Sequence, residues 1–393
     1  MKEKRMRQVV AILFAVMILI YLSGCGKNEA ETSPVNLSDA ETSENGKEQP
    51  QLEKNEDSEM DVAEPTEDVQ LEGTTVEADG KSEAVADIDY TVVKPDESRE
   101  IMVIMYHNLG EKNTEYGRTP ESFRADLQRL YDMGFRTVSM SDYINNNFEV
   151  AAGYTPVVLT FDDGHVSNFN YLEENGTLII DPNCVVGIMN DFEKEHPDFG
   201  KNAIFYLNYG NAFGQEQYRT QKIEYLLANG YEIGNHALSH DDLSSLDAAG
   251  IQKALGKNAK LYSEEYPGVE MTNLALPYGK RPKDEVLRNF VRTGEYEGYT
   301  YKNDVILLVG WKPTYPIYNV SLDTNSVHRV QSGDGEMQLT WWLDQYEIHP
   351  EKRFISDGMP NRISVPDARK DEVNPELIGD RELYFYEIEN NVE

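Results

Sequence analysis

The sequence predicts an α/β fold: a parallel sheet with helices between its strands, closing into a barrel and preceded by a disordered acidic tether. Three observations predict this. Continuous apolar runs such as Ile101-Met-Val-Ile-Met105 and Val157-Val-Leu159 read as strands buried on both faces. Segments with apolar residues at helical spacing lie between such runs, and alternation of strand and helix calls for a parallel sheet. From Gly26 to about Arg99 the chain is rich in Asp and Glu and almost free of aromatics. Such a stretch cannot bury enough apolar surface to offset its chain entropy.

The domain plan follows in order along the 393 residues. Residues 1–24 read as a signal peptide. Lys2, Lys4, Arg5 and Arg7 form a positive start, and Val9 to Leu22 is an apolar run too short for a typical spanning helix. Leu22-Ser23-Gly24-Cys25 resembles the bacterial lipobox, which implies cleavage before Cys25 and lipidation of its thiol. The expected location is therefore outside the cytoplasm, anchored to the outer face of the cell membrane. Residues 25–98 form the tether. If disordered, ~70 residues reach on the order of 50 Å on average. Residues 99–350 read as the main folded domain. Residues 351–393 form a C-terminal extension, in which Arg362-Ile-Ser-Val and Leu383-Tyr-Phe-Tyr-Glu suggest two extra strands.

The net charge of -34 argues against a nucleic-acid partner, since neutralising phosphates needs a positive surface. Only two cysteines exist. With Cys25 lipidated, Cys184 stands alone as a buried small hydrophobe and forms no disulfide. The oligomeric state leaves no mark in the sequence.

Within the folded part, Ile101–Met105 is the first strand and leads into Tyr106-His107-Asn108. Thr119-Pro120 starts a helix, with Thr as N-cap and Pro in the first turn. Phe123, Leu127, Leu130 and Tyr131 continue it, and Gly134 ends it. Strands are expected at 135–139, 157–161, 203–207, 231–234, 273–277 and 305–309. Helices are expected at 141–146, 217–228, 246–262 and 282–292. The insertion 178–201 contains Asp181-Pro182 and His196-Pro197 and reads as a loop with little regular structure.

The chemistry begins at Thr160-Phe161-Asp162-Asp163-Gly164, two carboxylates at the end of a buried strand. Further on comes His236-Ala-Leu-Ser-His240, two imidazoles at i and i+4, which would share one face of a helical turn. Asp163, His236 and His240 can supply three ligands to a zinc-like divalent ion and leave one position open. Such an ion acidifies water and polarises a carbonyl, and Asp162 is left over as general base. The combination reads as a metal-dependent hydrolase. Taken alone, Asp-Asp-Gly suits a capping turn equally well, and a His pair at this spacing is common on helix surfaces. The combination, in this order, carries the reading.

These motifs, with Leu276-Pro-Tyr-Gly279, resemble those of the polysaccharide deacetylases (NodB-homology domain, carbohydrate esterase family 4) over roughly Ile101 to Val330. The resemblance implies a deformed (β/α) barrel and removal of acetyl groups from an acetylated polysaccharide with a divalent metal. It implies that the backbone N–H of Tyr278 holds the developing oxyanion. Ile104-Met-Tyr-His107-Asn-Leu109 and Ala275-Leu-Pro-Tyr-Gly279 resemble the branch that contains the poly-N-acetylglucosamine deacetylases. That branch points to His107 as general acid, with His328 as the alternative. It also points to Arg329 as partner of Asp162, because position 275 is Ala where many members carry Arg. His165 reads as solvent-facing at the pocket mouth, and His196 and His349 as surface residues. Tyr278 and Trp311 are candidates for stacking on a sugar ring, and Trp341-Trp342 reads as packing. The expected activity is amide hydrolysis of N-acetylglucosamine units. O-acetyl ester hydrolysis, or non-catalytic glycan binding on the same scaffold, are the alternatives.

Overall fold

The computed structural model describes residues 88–388. The expected signal peptide, the lipidation site Cys25 and the tether up to residue 87 lie outside them. Eight strands form the main sheet: β1 (Met102–Tyr106), β2 (Phe135–Thr137), β3 (Thr155–Asp162), β4 (Ile204–Leu207), β5 (Glu232–Asn235), β6 (Asn273–Ala275), β7 (Val305–Leu307) and β8 (Val330–Gln331). The order is β7-β6-β5-β4-β3-β1-β8, every pair is parallel, and β2 pairs with the start of β3. Between strands run α1 (Pro120–Asp132), α2 (Met140–Asn145), α3 (Val185–Glu195), α4 (Arg219–Ala228), α5 (Ala248–Glu265) and α6 (Glu285–Arg292), with α7 (Leu339–Ile348) after β8.

The sheet curls until its ends meet. Val330 pairs with Ile104 of β1, and Leu307 of β7 bridges Val327. Residues 327–331 thus close a deformed (β/α) barrel. All eight residues of β3 are buried, as the apolar run requires of a strand with both faces covered. Alternate residues divide between two cores. Val103, Val158, Ile204, Tyr206, Ala275, Leu307 and Val327 fill one cluster drawn from the strands, the barrel interior. Met102, Ile104, Leu159, Phe161 and Phe205 join the cluster that includes α1, α3 and α4.

Two expectations are corrected here. The insertion 178–201 is not irregular: Thr177–Ile180 pairs with Tyr171–Glu174 as a hairpin, and α3 follows. Cys184 is buried as expected, and its sulfur also caps α3 by accepting from Gly187 N–H at 3.4 Å. His196 ends α3 and packs on Tyr131 and Phe192, with centroids 4.2 and 4.6 Å away.

The second correction concerns residues 88–98, read as the last stretch of the tether. They pack on the fold. Tyr90 sits against Tyr384 and Tyr386, with centroids 5.2 and 4.7 Å away. Glu97 and Ser98 are buried, and both carboxylate oxygens of Glu97 accept backbone N–H groups, from Asp357 and Ser364. The two extra C-terminal strands form as Arg362–Pro366 and Glu382–Tyr386, paired in parallel. Residue 350 is no boundary, because Asp96 and Glu100 bridge Ile355 and Arg353. A chain beginning at residue 99 is therefore expected to melt several degrees below one beginning at 88. Loss of Tyr90, Glu97 and Ser98 uncovers apolar surface and leaves the N–H groups of Asp357 and Ser364 unpaired. Thermal unfolding of the two chains checks this.

Candidate active site

The chemistry collects at the C-terminal ends of the parallel strands, where βα loops converge. A cavity of about 470 Å³ is lined there by His107, Tyr116, Asp162, Asp163, His165, His236, His240 and Tyr278, with Asn108, Leu276 and Val309. The structure thus brings His107, Asp162, Asp163, His236, His240 and Tyr278 together. His328 does not line this cavity. Its ring lies edge-on to Trp311, with centroids 5.5 Å apart.

Asp162 ends β3 on the same face as Val158 and Thr160, so it points into the top of the barrel. Arg329 shares the inward face of the closing segment with Val327. Its Nη1 and Nη2 donate to the two Asp162 oxygens at 2.8 and 2.7 Å. Nη1 also reaches Thr160 Oγ1 at 3.0 Å, and Nε reaches Leu308 O at 2.9 Å. Arg329 is 0% and Asp162 2% exposed. Burial pushes the Asp162 carboxyl up, but the charge and hydrogen bonds of Arg329 outweigh it and leave the pKa below the usual value. This fork fixes the base in one orientation and keeps it ionised.

Asp163 leaves the strand at φ 72, followed by Gly164 at φ 63, and this turn swings its carboxylate away from Asp162 toward the histidines. Oδ1 lies 3.2 Å from His236 Nε2 and 3.4 Å from His240 Nε2. All three ligand atoms lie within 4.8 Å of one another. Oδ2 faces His165 Nε2 at 3.2 Å. His165 is thus half-exposed at the cavity, as expected, and its ring also meets the Asp163 carboxylate. Burial raises the Asp163 carboxyl, yet the neighbouring His165 and His236 hold it well below its usual range.

His236 and His240 do not sit on a helical turn, which corrects the spacing argument. They flank a tight turn after β5 in which Ala237 and His240 take φ values of 59 and 55. Buried asparagines hold this turn. Asn208 donates to Ala237 O at 2.8 Å, Ala237 N–H donates to Asn235 Oδ1 at 2.9 Å, and Asn258 donates to the same oxygen at 2.9 Å. No motif in the sequence marks these residues; only their places at strand ends and inside α5 hint at them. Tyr116 was missed as well. Its ring meets His107 edge-on, with centroids 5.0 Å apart.

The donor set fits a divalent metal. His236 Nδ1 lies 2.8 Å from Ala275 O, an acceptor, so Nδ1 carries the proton and Nε2 presents its lone pair. That Nε2 is buried and makes no hydrogen bond. Three donors around one ion at about 2.1 Å stand roughly 3.4 Å apart, and the two spacings from Asp163 match. Asp163 and the two imidazoles would supply three ligands to an ion facing the cavity.

His107 follows β1, and Asn168 Nδ2 holds its carbonyl at 2.6 Å. Burial lowers its pKa, partly opposed by Asp162 and Asp163. Tyr278 stands in the left-handed region at φ 58, edge-on to His240 with centroids 4.3 Å apart, and its side chain is 60% exposed.

Residues 197–297 match the family model for polysaccharide deacetylase. The match takes in His236, His240 and Tyr278 and begins after the Asp162–Asp163 pair. No curated protein sequence matches the chain. Similar solved structures include the Streptococcus pyogenes deacetylase PplD in complex with acetate, at 14% identity over 63% of this chain and 98% of that one (TM-score 0.47). BC0361, a polysaccharide deacetylase from Bacillus cereus, is 15% identical over 63% and 69% (TM-score 0.45). IcaB from Ammonifex degensii is 18% identical over 63% and 97% (TM-score 0.42). Through residues 197–297 the chain is similar to the polysaccharide deacetylase family.

Proposed function

We propose that this domain removes N-acetyl groups from an N-acetylglucosamine-containing polysaccharide of the cell envelope, as a zinc-type amide hydrolase. The observation that carries the reading is the buried Asp162 carboxylate, clamped by Arg329, beside three convergent metal-ligand atoms in one cavity. Asp163, His236 and His240 would hold the ion, which supplies a Lewis acid for the acetyl carbonyl. Asp162 takes the proton of the attacking water. The backbone N–H of Tyr278 faces the developing oxyanion. His107 gives a proton to the departing amine, which otherwise leaves poorly.

Acetate release from short N-acetylglucosamine oligomers tests the reading, with chelator and Asp162→Asn as controls. No release by metal-loaded protein would reject it. The role of His107 is separable. His107→Gln is expected to cut amide hydrolysis by ~10²–10⁴-fold. It should affect acetyl-ester hydrolysis far less, because an alcohol leaves without full protonation. Equal losses on both substrates would remove His107 as the acid and favour an O-acetyl esterase. The proposal includes export and a lipid anchor at Cys25, supported by Leu22-Ser-Gly-Cys25. Cys25→Ser should move the protein from the membrane fraction to the soluble one.

A further inference from the structure

We propose that a second cavity, away from the catalytic one, binds a phosphate-class oxyanion through Arg281, Arg288 and Arg292. This cavity, of about 350 Å³, lies between α6 and the turn 323–326. Its lining also includes Glu285, Asn289, Val291, Ile306, Asp323 and Asn325, and it shares no residue with the catalytic cavity.

The argument is one of unmatched charge. The chain carries 70 acidic residues against 36 Lys and Arg. In such a chain guanidinium groups readily find carboxylates, as Arg118, Arg129, Arg136, Arg219, Arg329, Arg362 and Arg369 do. Arg281, Arg288 and Arg292 gather at one cavity and, among the described residues, form no ion pair. Their hydrogen bonds go to neutral oxygens. Arg288 Nε donates to Pro282 O at 2.9 Å, and Arg281 Nη1 donates to Asn325 O. Arg292 Nη1 donates to Asn325 Oδ1 at 2.7 Å and to Thr324 Oγ1 at 3.2 Å. These bonds aim the groups without neutralising them, and leave N–H donors on each.

The two acids at the cavity do not take those donors. Asp323 spends its oxygens on Asn325 N–H, Asn325 Nδ2 and Ser326 Oγ. Glu285 is exposed and forms no ion pair. Arg288 and Arg292 stand four residues apart on one face of α6, and Arg281 comes from the loop that follows the Pro277–Gly279 turn. Planar guanidinium forks from two elements match an anion with several oxygens better than a single carboxylate. The volume admits a phosphate carried on a sugar as well as a free one. This inference does not depend on the deacetylase reading.

The test is calorimetric titration of the whole protein with inorganic phosphate and with N-acetylglucosamine 6-phosphate, at ionic strength fixed by chloride. Arg288 is exposed and makes one bond, so Arg288→Gln should leave the fold intact and weaken binding about tenfold. Glu285→Gln removes the repelling carboxylate and should tighten it. Tighter binding of the sugar phosphate would identify a glycan-borne anion, and equal binding a free one. Anion captured by a metal at the catalytic site would be insensitive to both variants. Absence of binding, or affinity unchanged in both variants, overturns the proposal.

Discussion

Arg329→Met is expected to lower stability by about 3–5 kcal/mol and to slow acetate release by at least ~10²-fold. The cause is burial. Asp162 is 2% exposed, and both its oxygens are held by Arg329 alone among the described side chains. Removing the guanidinium strands a carboxylate inside the barrel, where its charged form is costly. The pH dependence carries a sign. Arg329 holds the Asp162 pKa below its ordinary value, so the pair stabilises the fold above the unfolded carboxyl pKa of about 3.9. That contribution is lost only as pH falls through the lower folded value. In Arg329→Met burial is opposed only by His236 and His107, so the pKa rises and the acid limb of the activity profile moves toward neutral pH. Adding Asp162→Asn removes the stranded charge. The double variant should be more stable than Arg329→Met alone while staying inactive. Unfolding curves of the two variants and the pH–rate profile of Arg329→Met check both parts. An unshifted acid limb would detach Arg329 from the base.

His236→Ala is expected to abolish stoichiometric metal binding and to cut activity by ~10³-fold or more, the loss of several kcal/mol of charge stabilisation. His236 is the ligand that the fold fixes most firmly. Its Nδ1 is tied to Ala275 O on the neighbouring strand β6, and its ring is 2% exposed. His240 is half-exposed on the cavity side, so His240→Ala should weaken metal less. Metal content after gel filtration, read beside acetate release, separates the two. Full metal occupancy in His236→Ala would overturn the ligand assignment.

Much of this site was legible because its chemistry sits where apolar runs stop. A strand buried on both faces reads as an unbroken run, and Asp162 and Tyr278 each follow one, while His236 follows the mixed strand Glu232–Asn235. Arg329 was legible only through the absence of Arg at position 275. The helical-turn argument for His236 and His240 failed for a physical reason. Spacing of four places two rings together on a helix, but a turn with Ala237 in the left-handed region does so too. The second route depends on Asn208, Asn235 and Asn258, whose long-range bonds leave no periodic trace. In the insertion, Pro182 and Pro197 signal a loop in the sequence but do not make one. They bracket α3, with Cys184 as its N-cap and Pro197 just past its end. The acidic composition of residues 88–98 likewise hid Tyr90 and Glu97, whose partners come from the far end of the chain.

The packing of residues 88–98 also sets how the domain bears load. All strands of the main sheet are parallel, and the cavity lies at their C-terminal ends. Glu97 and Ser98 lead into the opposite end, just before β1. Residues 88–98 are therefore fastened at the pole away from the cavity. A pull from that side is carried first by Tyr90 against Tyr384 and Tyr386, and by Glu97 on Ser364. Those contacts route the force into the C-terminal strands, at the base of the barrel.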